Sequence, residues 1–187
     1  MQEKEFLKEL KRHGKENDIP NISETNARFL RDLIKITNSK FVLELGMANG
    51  YSTINFAFEL KNLKRKGKIT SIEFSPKSYN DALGNFKKAS LEDFINPILG
   101  NALDEIPKLK DESFDFIFID AMKKRSLDFF KLSFPKLKKG GVMIIDDVIK
   151  FRNKMPELEP YLKENSITYN ILPIDLDDGV MMIIKDI

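Results

Sequence analysis

Five places in this chain carry side chains that could do chemistry, and each follows an apolar run. The first is Glu44 with the turn Gly46 to Gly50, inside FVLELGMANGYST (Phe41 to Thr53). The others are Glu73, Asn101, Asp120 and the pair Asp146-Asp147. Four of the five contain acids. Carboxylates gathered at one edge repel one another, so they call for a cation or a hydroxyl-rich ligand. The turn adds a second demand. Gly46, Ala48 and Gly50 alternate along it, and small residues let a ligand approach the backbone closely. Met47 within the turn and Ser52 just beyond it share that position.

The pattern is E-x-G-x-A-x-G rather than the dinucleotide fingerprint G-x-G-x-x-G, and Glu44 in front of it disfavours an anion. Glu73, with Phe74 beside it, ends the next apolar run, about 20 residues past the turn. An acid there accepts hydrogen bonds from ribose hydroxyls. A nucleoside carrying positive charge fits both features, and S-adenosylmethionine is such a molecule. A structural glycine turn with surface acids is the plainer alternative.

Composition removes other chemistries. Without cysteine there is no disulfide, thiolate nucleophile or Cys-ligated zinc. The single histidine, His13, sits among Lys11, Arg12 and Lys15 and reads as a surface residue. With 31 Lys+Arg against 29 Asp+Glu, the net charge of +2 makes no general case for nucleic acid or a membrane surface. No membrane-length apolar run or signal-peptide core occurs, so the expected location is cytoplasmic, with no membrane partner. At 187 residues and 42% hydrophobic, the chain suits one domain spanning 1–187.

Alternating elements must position these residues. Gln2 to His13 has a narrow apolar stripe of Phe6, Leu7 and Leu10, which predicts a helix. A loop follows over Asn17 to Ile22, and Ser23 is the expected N-cap of a helix carrying Ala27, Leu30, Leu33 and Ile34. Strands are predicted at Phe41 to Leu45, Lys68 to Glu73, Ile95 to Leu99, Phe114 to Asp120 and Val142 to Asp146. Helices between them follow the glycine turn, run from Ser75-Pro76 to about Ala89, and span Ser126 to Leu137. Gly140-Gly141 reads as a turn, and Pro156 to Asn165 as a short helix. Two last strands, Ile167 to Ile174 and Val180 to Lys185, are joined at Asp177-Asp178-Gly179 with no helix between, so they should be antiparallel. Alternation of this kind gives an α/β fold, a mostly parallel sheet with helices on both faces. In such sheets ligands sit beyond the carboxyl ends of the strands, where all five chemical positions fall.

FVLELGMANGYST, ITSIE (Ile69 to Glu73), GNAL (Gly100 to Leu103), FDFIFIDAMK (Phe114 to Lys123) and KGGVMIIDDV (Lys139 to Val148) occur in order. Together they resemble the class I S-adenosylmethionine-dependent methyltransferases, and more narrowly the metal-dependent O-methyltransferases of the catechol and caffeoyl-CoA type. The closing GVMMIIK resembles that family's last strand. The resemblance runs from about Asp18 nearly to the end. It implies a Rossmann-like doubly wound sheet of seven strands over 39–187, with an antiparallel C-terminal hairpin, under an N-terminal helical cap (1–38). It implies that Glu44, Gly46 and Gly50 belong to the cofactor loop, Glu73 to the ribose, and Asn101-Ala102 to the adenine, where the family commonly has Asp before Ala. It makes Asp120, Asp146 and Asp147 the ligands of Mg²⁺ or another divalent cation, and Lys123 the lysine acting near the acceptor hydroxyl. Asp18 to Ser23 (DIPNIS) resembles the loop that shapes the acceptor pocket, and a homodimer is compatible.

The implied chemistry stands on its own terms. A neutral hydroxyl is a weak nucleophile; a divalent ion on its oxygen lowers its pKa, and a lysine with depressed pKa could take the proton. Asp146 and Asp147 would point to opposite faces in an extended strand, so both reach one ion only if the strand has ended. The departures concern the cation at Asp147 and the acceptor at the other positions. Asp147 stands where the family usually has Asn, Met122 where a second acid is common, Ser126 where tyrosine is, and Lys150 where an aromatic is. Lys123, Lys124, Arg125, Lys150, Arg152 and Lys154 could form a basic rim, so the acceptor is either a small molecule or RNA. Bacterial relatives that methylate 5-hydroxyuridine in tRNA share this layout. Three alternatives are a metal-free class I N- or C-methyltransferase, a cofactor-binding protein without turnover, and a dinucleotide oxidoreductase, which the loop pattern disfavours.

Overall fold

Alternation along the strands decides the layering. In β1 (Phe41–Leu45), Val42 faces one side of the sheet and Leu43 and Leu45 the other, all with no exposure. The same two-residue alternation divides Ile144 from Met143 and Ile145 in β5 (Leu137–Ile145). A sheet apolar on both faces needs cover on both. The computed structural model describes residues 3–175 and 178–186; Gln2 of the expected first helix and Asp177 of the expected turn lie outside the described residues.

The remaining strands are β2 (Lys68–Glu73), β3 (Ile95–Leu99), β4 (Phe114–Ile119), β6 (Tyr169–Leu172) and β7 (Val180–Ile184). They form one seven-stranded sheet in the order β3-β2-β1-β4-β5-β7-β6. The first five are parallel, and β7 is antiparallel to both β5 and β6, as the missing helix predicts. Helices α1 (Glu3–Glu16), α2 (Glu24–Ile36), α3 (Tyr51–Asn62) and α4 (Pro76–Ala89) cover one face. Helices α5 (Ala102–Glu105), α6 (Ser126–Ser133) and α7 (Leu158–Glu164) cover the other. The α3 helix is buried almost all round because α1 and α2 lie over it. Its Phe56 meets Phe116 and Phe118 of β4 edge-on, with ring centroids 6.3 and 5.8 Å away. No helix among the described residues is long and apolar enough to cross a membrane.

Two of the departures from the predicted elements have a backbone reason. The helix expected to reach Leu137 ends at Ser133, and Phe134–Lys136 tightens into a 3₁₀ turn. Pro135 has no N–H to continue the α-helical ladder. Gly140-Gly141 is not a turn between elements; it lies inside β5. Gly140 has φ of +73°, and the β4–β5 register jumps from Phe114↔Leu137 to Phe116↔Val142. The glycines therefore form a bulge, whose Gly140 N–H is taken by Lys185 O at 2.7 Å.

Candidate active site

The ladder runs one residue past each strand and so fixes where the site residues stand. Gly46 N–H donates to Ile72 O (3.0 Å), Asp120 N–H to Leu45 O (2.9 Å), Asp146 N–H to Ile119 O (3.0 Å) and Gly100 N–H to Glu73 O (2.9 Å). After β1 the chain builds outward through β2 and β3, then returns to place β4 on the other side of β1. The crevice at that reversal is where a doubly wound sheet binds its ligand. A cavity of about 660 Å³ opens there, between the glycine turn, β4's end and the loop before α2.

The turn owes its sequence to its backbone. Gly46, Ala48 and Gly50 have φ of +92°, +47° and +85°. A Cβ on Gly46 would stand 2.1 Å from Asp120 O, so glycine lets β1 and β4 end side by side. Glu73, in the cavity wall, holds the turn. Its Oε2 accepts from Met47 N–H (2.9 Å) and Ala48 N–H (3.0 Å), and its Oε1 from Ser75 N–H (2.8 Å). A carboxylate has further lone pairs, so ribose hydroxyls can still be accepted. Of the residues singled out in the sequence, Gly46, Met47, Ala48, Ser52, Glu73, Phe74, Asn101, Ala102, Asp120, Lys123 and Asp147 line the cavity.

Two residues assigned to the cofactor loop do not line it. Glu44 is wholly buried and accepts hydroxyl hydrogen bonds from Ser52 (2.5 Å), Ser71 (2.5 Å) and Thr53. It ties β1 to β2 and to the start of α3, because its side chain alternates onto the helix face of the sheet. Burial outweighs these hydrogen bonds and pushes the Glu44 carboxyl up to about 7. Gly50 also faces inward: a Cβ there would meet the Phe86 ring at 2.6 Å. Asn101 faces the cavity, but its side-chain oxygen accepts from Leu103 N–H at 3.1 Å and starts α5.

The acids converge where the strands end. Asp120, Asp146 and Asp147 each offer an oxygen, all within 4.8 Å of one another. Asp147 has φ of +64°, so the strand has ended and the two neighbouring carboxylates are not thrown to opposite faces. Such a set of hard oxygens suits Mg²⁺-like ions. Asp146 stands behind the cavity wall, 3% exposed, rather than in it. Burial and then the Asp120 charge raise its carboxyl well above the usual range. Lys123 Nζ bridges Asp120 Oδ1 at 2.7 Å and Asp147 Oδ2 at 2.8 Å. Burial acts to lower the Lys123 pKa, but the two carboxylates outweigh it and hold the ammonium above its ordinary value. The expected lysine of depressed pKa is therefore a charged counter-ion in this arrangement.

The whole chain carries this design. Residues 1–181 match the O-methyltransferase family. The chain belongs to that family. Among curated members it is 30% identical over 129 residues to a catechol O-methyltransferase of Mycobacterium tuberculosis, covering 69% of this chain and 57% of that protein. It is 34% identical over 136 residues to caffeoyl-CoA O-methyltransferase 1 of Eucalyptus globulus, covering 69% and 54%. This O-methyltransferase-family chain thus spans little more than half the length of such relatives. The crystal structure of a Bacillus cereus O-methyltransferase in complex with SAH superposes with a TM-score of 0.84 at 26% identity, covering 97% of this chain and 91% of that one.

Other members of the site were not read from the sequence. Phe129 and Phe151 line the cavity, and Asn26 of α2 donates from Nδ2 to Asp146 Oδ1 at 2.9 Å. Asn26 lies 120 positions from its partner and carries no local signal beyond a polar residue on an otherwise apolar helix face. Pro20, Asn21 and Ile22 of the DIPNIS segment line the cavity, and Lys11 holds that loop by donating to Asn21 O (2.8 Å) and Ile22 O (2.6 Å).

Proposed function

We propose that this chain is an S-adenosylmethionine-dependent O-methyltransferase that uses Mg²⁺, or a similar divalent cation, and acts on a hydroxyl of a small catechol-like acceptor. One observation carries the reading: the acidic cluster and Lys123 adjoin the same cavity that the glycine turn and Glu73 enclose. The relatives' names support the reaction, and the SAH of the Bacillus cereus structure supports the cofactor. Glu73 would hold the ribose, Asn101-Ala102 and the exposed Phe74 ring the adenine, and the Gly46–Ala48 backbone with Ser52 the remainder. Asp120, Asp146 and Asp147 would hold the cation. When bound, the sulfonium supplies the methyl group and the divalent ion lowers the pKa of a hydroxyl it touches.

The protein's own contribution is position. Phe129 and Phe151 add apolar lining to the cavity that Lys123, paired with Asp120 and Asp147, also lines. An acceptor seated there has its oxygen beside Lys123, which orients it for in-line attack. Lys123 takes the proton only where Asp120 and Asp147 are otherwise neutralised, since those carboxylates keep it charged. The expected basic rim is largely compensated: Arg125 pairs with Asp128 (3.0 Å), Lys150 with Asp178 (3.0 Å) and Arg152 with Glu159 (2.8 Å). Such a rim favours a small acceptor over a polyanion, which makes tRNA bearing 5-hydroxyuridine the second acceptor to test.

The deciding experiment follows labelled methyl from S-adenosylmethionine into a simple catechol, with Mg²⁺ and with EDTA. Transfer that EDTA abolishes is the expected result. Transfer that survives EDTA would overturn the role of the three acids and favour a metal-free methyltransferase. Binding of the cofactor with no transfer to catechol or to under-modified tRNA would favour a protein without turnover.

A further inference from the structure

Asp146 is the most deeply buried of the three clustered acids, and one of its oxygens is already engaged by Asn26 Nδ2 at 2.9 Å. Asn26 is itself only 2% exposed, and its side-chain Oδ1 has no partner among the described residues. A buried amide oxygen without a donor is costly, and its persistence needs a reason. The residue is also held in place. Its backbone N–H donates to Ser23 Oγ at 2.9 Å, and the same Ser23 hydroxyl donates to Asp175 in the connection before β7. The first turn of α2 is thereby tied to the loop on the far side of β5.

We infer that Asn26 is a positioning residue of the cation site: its buried side-chain N–H holds the Asp146 carboxylate in the orientation that brings it to Asp120 and Asp147. This rests on the cation-dependent reading above. All three clustered groups are carboxylates, and α2 brings the one side-chain amide that hydrogen-bonds to them among the described residues, from a segment 120 positions away from Asp146. Groups that orient metal ligands in this way change metal affinity by about 10- to 100-fold when removed.

The test is Mn²⁺ binding to the full chain, read from the loss of the free-ion electron paramagnetic resonance signal. S-adenosylhomocysteine binding without metal is measured alongside it. For Asn26→Ala the expected result is Mn²⁺ binding weaker by about 10- to 100-fold with unchanged S-adenosylhomocysteine affinity. A merely structural role would weaken both together and would overturn the inference. If Asn26→Ala does not fold, Asn26→Leu keeps the volume, removes both hydrogen-bonding groups and should show the same selective loss. Variants that bind Mn²⁺ as the unaltered protein does overturn the inference alone. An unaltered protein that takes up no Mn²⁺ overturns the cation-dependent reading, and the inference with it.

Discussion

Gly46 shows how much a single residue can decide. Its φ of +92° is open to glycine and strained for other residues, and an added Cβ would sit 2.1 Å from the Asp120 carbonyl oxygen. That oxygen is backbone at the end of β4 and cannot turn aside. Gly46→Ala should therefore cost more than about 3 kcal/mol of stability and separate the turn from Asp120. Chemical denaturation and S-adenosylhomocysteine titration check both effects; a variant that keeps normal stability and binding would refute the close-approach account. The requirement was visible in the sequence as a small residue after a strand. Its partner, the Asp120 carbonyl, was not, because contact across β1 and β4 depends on strand order.

At the scale of elements, α2 is fastened to α3 by charge as well as by apolar packing. Arg31 Nε reaches Glu59 Oε2 at 3.0 Å, and its Nη1 reaches Glu3 Oε1 of α1 at 2.8 Å. Glu59 is 1% exposed, while Lys35 approaches it only to 3.7 Å. Removing the partner of a buried charge costs far more than the pair is worth intact. Arg31→Ala should destabilise the protein by about 3 kcal/mol, measured by urea unfolding. The double variant Arg31→Met with Glu59→Met should recover most of that loss; if it does not, packing rather than charge holds α2. The periodicity of α2 was legible as Ala27, Leu30, Leu33 and Ile34. That α1 and α2 would be the helices covering α3 was not, since which distant segment lies over it depends on the assembled fold.

For the molecule as a whole, the buried acids tie stability to pH. Glu44 has its folded pKa pushed up to about 7 from an ordinary 4.5, so the folded state holds this proton more tightly than the unfolded chain does. Its favourable contribution is full below about 4.5 and is lost as pH rises through about 7. Asp146 acts in the same direction; Asp115, whose pKa the Lys138 pair and two backbone N–H groups lower against burial, acts in the opposite one. Glu44→Gln removes one such titration. Relative to the unaltered protein it should gain stability as pH rises from 5 to 8, by up to about 3 kcal/mol. Thermal unfolding of chelator-treated protein checks this, and a difference that does not change with pH would show that Glu44 stays ionised. The sequence by itself determined the alternation of strands and helices, the end of the sheet where the acids gather, and most of the cavity wall. Those follow from periodicity and from residues adjacent in the chain. Only the tertiary structure decided that Glu44 and Gly50 face the core, that Lys123 is held charged between Asp120 and Asp147, and that Asn26 reaches Asp146. Each depends on which face a side chain takes, or on which distant segment lies beside it, and neither is fixed until the sheet is assembled.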